Sequence, residues 1–161
     1  MRWIEENRQF LKPPIGNKVL WKDTDLIVMA VGGPNARTDF HYDPAPEFFY
    51  QLQGDVLLKT MAADGPRDIV VAEGELFVLP AGIPHSPQRF EDTVGLVVEQ
   101  PRRKGERDGL MWFCQRCNTK LYEEYFQLED IEAQFQAIFD RFNDGKSRRT
   151  CDRCGYLNPP A

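Results

Sequence analysis

Between about residue 18 and Glu99 the chain runs in short apolar stretches, NKVLW, DLIVMAV, EFFYQL, DVLLKTM, DIVVA, ELFVLP and VGLVVE, punctuated by Gly, Pro and Asp. Closely spaced β-branched and aromatic runs with turn residues between them predict an antiparallel sandwich or barrel. Several runs place apolar side chains at neighbouring as well as alternate positions, which predicts strands covered on both faces. The period changes after Gln127. Leu128, Ile131, Phe135, Ile138, Phe139 and Phe142 fall on one face of a helix, and Gly145 is placed to end it. That stripe is read as packing on the β domain, with no chemistry of its own. Between the two patterns, after Pro101, lies RRKGERDG, read as a charged linker. The predicted organisation is therefore a mainly β domain over residues 1–110 and a tail over residues 111–161 with one amphipathic helix.

At 161 residues the chain can bury a core without help from disulfides. A net charge of −5 argues against a nucleic-acid binder, which would show a basic face. The N-terminal stretch MRWIEENRQFLKPP is charged and lacks the apolar core of a signal peptide, and runs such as LIVMAVGG are too short to span a bilayer. The expectation is a cytoplasmic protein that binds neither nucleic acid nor membrane. In a reducing compartment the four cysteines are read as metal ligands in preference to disulfides. Edge strands and apolar N-terminal residues are compatible with a homodimer.

The chain has only two histidines, His41 and His85, and His41 lies six residues before Glu47. That spacing does not suit a helix face, but it suits the end of one strand and the start of the next, joined through YDPAP. His85 would join from the turn PAGIPH that follows ELFVLP. Two imidazoles and one carboxylate on one face of a metal leave the opposite face open, the arrangement of non-haem Fe(II) oxygenases. The cysteines form a different pattern. WFCQRCNTK and RTCDRCGYL each hold a C-x-x-C, with 33 residues from Asn118 to Thr150 between them. Cys114, Cys117, Cys151 and Cys154 can supply a tetrahedron of thiolates, and Asn118 and Gly155 permit the tight turns that aim backbone N–H groups at sulfur. Iron and zinc suit such a site equally. With all four ligands from protein it would be structural; paired disulfides are the alternative.

The histidine spacing resembles the two motifs of the cupin superfamily. The first matches in His41, Asp43, Glu47 and Gly54, and the second in Gly74, Pro80, Gly82 and His85. Asp43 stands where many cupins have a second histidine, and Arg89 where many have asparagine. With those departures, GGPNARTDFH, EFFYQL, LPAGIPHSPQRF and VGLVVE resemble the 3-hydroxyanthranilate 3,4-dioxygenase family, in its form with a rubredoxin-like cysteine tail. The resemblance implies a double-stranded β-helix, a jelly-roll-like barrel. It implies catalytic Fe(II) held by His41, Glu47 and His85, with a second iron or zinc on the cysteines.

The substrates implied are a small aromatic amino-hydroxy-carboxylate and O2, and the product 2-amino-3-carboxymuconate semialdehyde, the precursor of quinolinate in NAD synthesis and kynurenine breakdown. Arg89 would grip the substrate carboxylate, Arg37 would sit beside the oxygen position, and Glu99, with Glu47, would contact the substrate. Glu99 could also accept a proton. The cupin barrel hosts many chemistries, so a different cupin enzyme and a metal-bearing cupin sensor are the competing readings. A sensor would call for a DNA-binding element, which this acidic sequence does not show.

Overall fold

The computed structural model describes residues 2–12, 16–22, 24–35, 37–129 and 131–161, without the side chains of residues 131–133. Among the described residues are a short helix α1 (Arg2–Glu6), a helical turn at Arg8–Leu11, and the strands β1 (Asn17–Trp21), β2 (Ile27–Gly32), β3 (Phe40–Tyr42), β4 (Glu47–Gln53) and β5 (Val56–Ala62). They continue as β6 (Gly65–Val71), β7 (Leu76–Leu79), β8 (His85–Arg89), β9 (Val94–Glu99), β10 (Asp108–Phe113) and β11 (Lys120–Phe126), then helices α2 (Ile131–Asp144) and α3 (Lys146–Arg149).

The strands form two antiparallel sheets, one in the order β1-β2-β9-β4-β7 and the other β11-β10-β3-β8-β5-β6. From β2 to β10 the chain passes back and forth between the sheets, β5 and β6 being the one hairpin within a sheet over that stretch. That alternation makes a jelly roll, because most strands between β2 and β10 find a neighbour far along the sequence. Alternation in β4 turns Glu47, Phe49 and Gln51 inward. Phe49, Leu79 and Val97 of one sheet meet Leu58 of the other, with Ile69 and Ile83 packed around them. Truncating a fully buried ring such as Phe49 to alanine removes about 3–5 kcal/mol.

All seven predicted stretches form strands. β3, β8, β10 and β11 are additional. Residues 102–107 of RRKGERDG do run as a loop from β9 to β10, but the run is not wholly solvated: the Arg102 side chain is 5% exposed, and Asp108 is buried and begins β10. The boundary drawn at residue 110 falls inside β10, which joins the sheet through β3. β8 escapes a strand reading because HSPQR contains Pro87, which cannot donate to a ladder. Its carbonyl accepts instead from the Asn35 side chain, 2.9 Å. The helix forms over residues 131–144 and Gly145 follows it. Ile138 and Phe142 pack on Leu110 and Trp112, the Phe142 and Trp112 rings stacked at 4.3 Å. The side chain of Ile131, the second position of the predicted stripe, lies outside the described residues. No described helix is long and apolar enough to cross a membrane.

Candidate active site and metal centres

Strand pairing brings the two histidines together. His41 in β3 is the register partner of His85, the first residue of β8, and their ring centroids lie 5.4 Å apart. Glu47 begins β4 on the opposite sheet and projects between them, its Oε1 3.1 Å from His85 Nε2 and 3.7 Å from His41 Nδ1. All three are buried, and their ligand atoms lie within 4.8 Å of one another. The other ring nitrogens are taken up by protein: His85 Nδ1 lies 3.1 Å from the Ile83 carbonyl and His41 Nε2 2.8 Å from Asp108 Oδ2. Despite its burial, Glu47 Oε1 has no hydrogen bond of sound geometry. An orphaned carboxylate oxygen facing two imidazole nitrogens is what a divalent cation would satisfy, so these residues fit a metal.

Asp43, Glu47 and Glu99 form a second buried group close enough to hold a cation. Arg102 already occupies that side, reaching Asp43 at 2.9 Å, Glu99 at 3.4 Å and Asp108 at 2.7 Å. Asp43 Oδ1 also accepts the Ala45 N–H at 2.7 Å, and Oδ2, buried without a hydrogen bond, lies within ion-pair distance of Arg102. The acidic side holds the Arg102 guanidinium, whereas Glu47 on the histidine side faces the two imidazoles and the charge of Arg37.

The charged residues expected from the sequence also converge. Arg89 lies on β8 on the same face as His85 and is 3% exposed. Its Nη1 donates to Gln51 Oε1 at 3.1 Å, and among the described residues no carboxylate pairs with it. Burial first, and the charge of Arg37 second, pull its pKa down to about 10. Gly95 makes that geometry possible: a Cβ there would lie 2.2 Å from Gln51 Oε1 and 3.0 Å from Arg89 Nη1.

Arg37 is held by both oxygens of Asp39, and its charge is felt at Glu47 as well as at Arg89. Burial opposes that charge, but the Asp39 partnership outweighs it and raises the Arg37 pKa. Burial is also the largest influence on Glu99, raising its pKa against the pull of Arg102, with Glu47 and Asp108 adding to the rise. Glu47 is the opposite case: burial pushes up, but His85, His41 and Arg102 together bring it down to about 2 in the metal-free protein. The sequence reading missed Arg102, Asp108 and Gln51. Arg102 and Asp108 sit in a run of charges that reads as solvated, while the alternation of EFFYQLQ, which turns Gln51 inward with Glu47, was a usable signal.

The four cysteines are free thiols, with Cys114 and Cys154 sulfurs 3.6 Å apart and Cys117 and Cys151 sulfurs 3.5 Å apart. The two knuckles repeat one geometry. Asn118 N–H donates to Cys114 O and Gly155 N–H to Cys151 O, both at 2.8 Å, while Cys114 N–H donates to Thr119 O and Cys151 N–H to Tyr156 O. Asn118 and Gly155 adopt φ of +58° and +71°, the left-handed turns expected of them. Four convergent sulfurs fit a closed, tetrahedral metal site.

The jelly roll with two histidines and one carboxylate clustered inside it is that of a metal-binding cupin. A cupin-2 domain-containing protein from Shewanella frigidimarina superposes with a TM-score of 0.49 at 16% identity, over 62% of this chain and 92% of that one. The family model described as 3-hydroxyanthranilic acid dioxygenase matches residues 1–143. Proteins named 3-hydroxyanthranilate 3,4-dioxygenase are 52% identical in Xanthomonas euvesicatoria pv. vesicatoria, covering 98% of this chain and 89% of that one, and 46% identical in Bacillus cereus, covering 99% and 89%. The chain belongs to the 3-hydroxyanthranilic acid dioxygenase family.

Proposed function

We propose that this chain is an Fe(II)-dependent extradiol-type dioxygenase that opens the ring of 3-hydroxyanthranilate with O2. Both oxygen atoms enter the product, 2-amino-3-carboxymuconate semialdehyde, as the bond between the hydroxyl-bearing ring carbon and its unsubstituted neighbour breaks. The product would feed quinolinate formation. His41, Glu47 and His85 would hold the iron, which supplies a Lewis-acidic centre able to bring substrate and oxygen together.

The observation that carries the substrate choice is Arg89: a buried guanidinium without a carboxylate partner among the described residues, four residues along the strand from a metal-ligand candidate. A substrate carboxylate would complete it as a charge-assisted pair. The chelating amino and hydroxyl groups would then face the histidines. Glu99, whose pKa is raised chiefly by burial, is suited to take a proton from the substrate's polar groups, and Glu47 lies near enough to contact them. Arg37, fixed by Asp39, would stabilise negative charge developing on oxygen. The cysteine cluster would hold a second, structural iron or zinc, since four protein thiolates leave no position for substrate.

The test is anaerobic loading with Fe(II), then 3-hydroxyanthranilate and ¹⁸O2. The expected result is one O2 consumed per ring opened, with both labelled atoms in the product. With the aldehyde reduced in situ to fix its oxygen before exchange or cyclisation, oxygen uptake without ring opening, or a ring-opened product with no label in its new carboxylate, would overturn the assignment.

A further inference from the structure

Asp108 is fully buried, and both of its oxygens are committed. Arg102 Nε donates to Oδ1 at 2.8 Å and Arg102 Nη2 to Oδ2 at 2.7 Å, a two-pronged grip. Oδ2 also lies 2.8 Å from His41 Nε2. Strand register explains the contact. Leu110 is the partner of His41 across β10 and β3, and Asp108, two residues earlier, shares the face of Leu110 and reaches the ring diagonally. The same guanidinium touches Asp43 and Glu99, so one cation is shared among three buried carboxylates beside the metal-ligand candidates.

We propose that Asp108, clamped by Arg102, is a positioning residue that holds the His41 imidazole by its Nε2–H, fixing the ring's tautomer and angle for metal binding. The inference rests on the metal-site reading above and assigns a role to two residues outside the ligand set. A neutral imidazole must present one lone pair to the cation and dispose of one N–H in a buried site. A carboxylate on that N–H orients the ring and raises its basicity, and loss of such a partner typically weakens metal binding about 10–100-fold. Arg102 keeps the carboxylate ionised and immobile, which a water molecule or a lone surface residue would not do.

The experiment measures Fe(II) affinity anaerobically, by competition with a chromophoric chelator, after the cysteine cluster has been filled with one equivalent of Zn(II). Asp108→Ala should weaken Fe(II) binding roughly 10–100-fold. Asp108→Asn, whose amide oxygen can still accept from Nε2–H, should recover part of that loss. A role confined to folding would lower the melting temperature of both variants and leave Fe(II) affinity unchanged. An Fe(II) Kd within about twofold of native in a folded Asp108→Ala protein therefore overturns the proposal.

If Asp108→Ala does not melt cooperatively, ¹⁵N NMR of the imidazoles in the native, Zn(II)-loaded protein decides. A protonated, slowly exchanging His41 Nε2 supports the proposal, and an unprotonated Nε2 overturns it. His85→Ala is the control that separates this inference from the reading beneath it. If His85→Ala also binds Fe(II) like the native protein, the metal-site reading has failed; if it loses iron while Asp108→Ala does not, only the positioning role has failed.

Discussion

The cysteine cluster is assembled from two knuckles whose hydrogen bonds close within six residues each, Cys114 to Thr119 and Cys151 to Tyr156. His41, Glu47 and His85 instead come from three strands on two sheets and meet only when β3 pairs with β8 and the sheets pack face to face. The first site would surround a metal with four thiolates; the second would offer it three ligands, with charged residues near by. Closure makes a metal a structural part. A three-ligand site, with Arg89 lacking a carboxylate partner among the described residues, would suit the proposed binding of a carboxylated substrate.

Removing a ligand from each site should separate them most sharply. His85→Ala or Glu47→Ala should lower kcat/KM by at least ~10³-fold, because a three-ligand site loses geometry and affinity together. The melting temperature of the tail should stay near native, and iron analysis before and after a mild chelator reads the loss. Cys151→Ser should do the reverse. Metal binding there is coupled to folding, on the order of 10 kcal/mol for structural zinc peptides, so the tail should unfold or lose its metal while iron remains on the histidines. β10 bounds how far that damage stays local, since it runs from Asp108 beside His41 to Phe113 beside Cys114. A Cys151→Ser protein that keeps its metal and fold yet cannot turn over would remove the structural role.

Subtler changes sharpen the open site. Gly95→Ala should push Gln51 off Arg89, raising KM for the carboxylated substrate roughly tenfold, about 1.4 kcal/mol, with a smaller change in kcat. Equal losses in kcat and kcat/KM would place the effect on the reaction step instead.

The smallest effect expected is electrostatic. In the metal-free protein burial, reinforced by Glu47 and Glu99, lifts Asp43 to about 7. The folded chain then keeps a proton that the unfolded chain releases near about 4. Stability from that proton is complete below about pH 4 and is lost as pH rises through about 7. Between about pH 5 and pH 8 the melting temperature of Asp43→Asn should therefore fall less than that of the native chain. Parallel profiles would show that Asp43 does not titrate there.

How much of this was legible follows from the same contrast between local and non-local construction. The cysteine knuckles could be read completely, down to the turns at Asn118 and Gly155, because their geometry is encoded in adjacent residues. The seven long apolar runs became strands for a similar reason. β3 and β8 are short, and β8 contains proline, so their strand character comes from their partners: β8 is paired along its length by β5. The histidines and glutamate were identifiable by motif, but their 5.4 Å ring separation is a product of register, which no local pattern states. Arg102 and Asp108 were hidden most completely. Charges in RRKGERDG are indistinguishable from a solvated linker until β10 joins the sheet and buries them against each other.

The central claim is that a buried, unpaired Arg89 beside an iron site selects a carboxylated aminophenol. It is tested most directly by kcat/KM of the native, Fe(II)-loaded protein on 3-hydroxyanthranilate and on 2-aminophenol, which has the same chelating pair without the carboxylate. Leaving the guanidinium desolvated and unpartnered costs about 2–5 kcal/mol. The account predicts a fall of at least ~10²-fold for 2-aminophenol, and a smaller gap in Arg89→Ala chiefly through damage to the carboxylated substrate. Equal kcat/KM for the two substrates on the native protein, at equal iron occupancy, would contradict it.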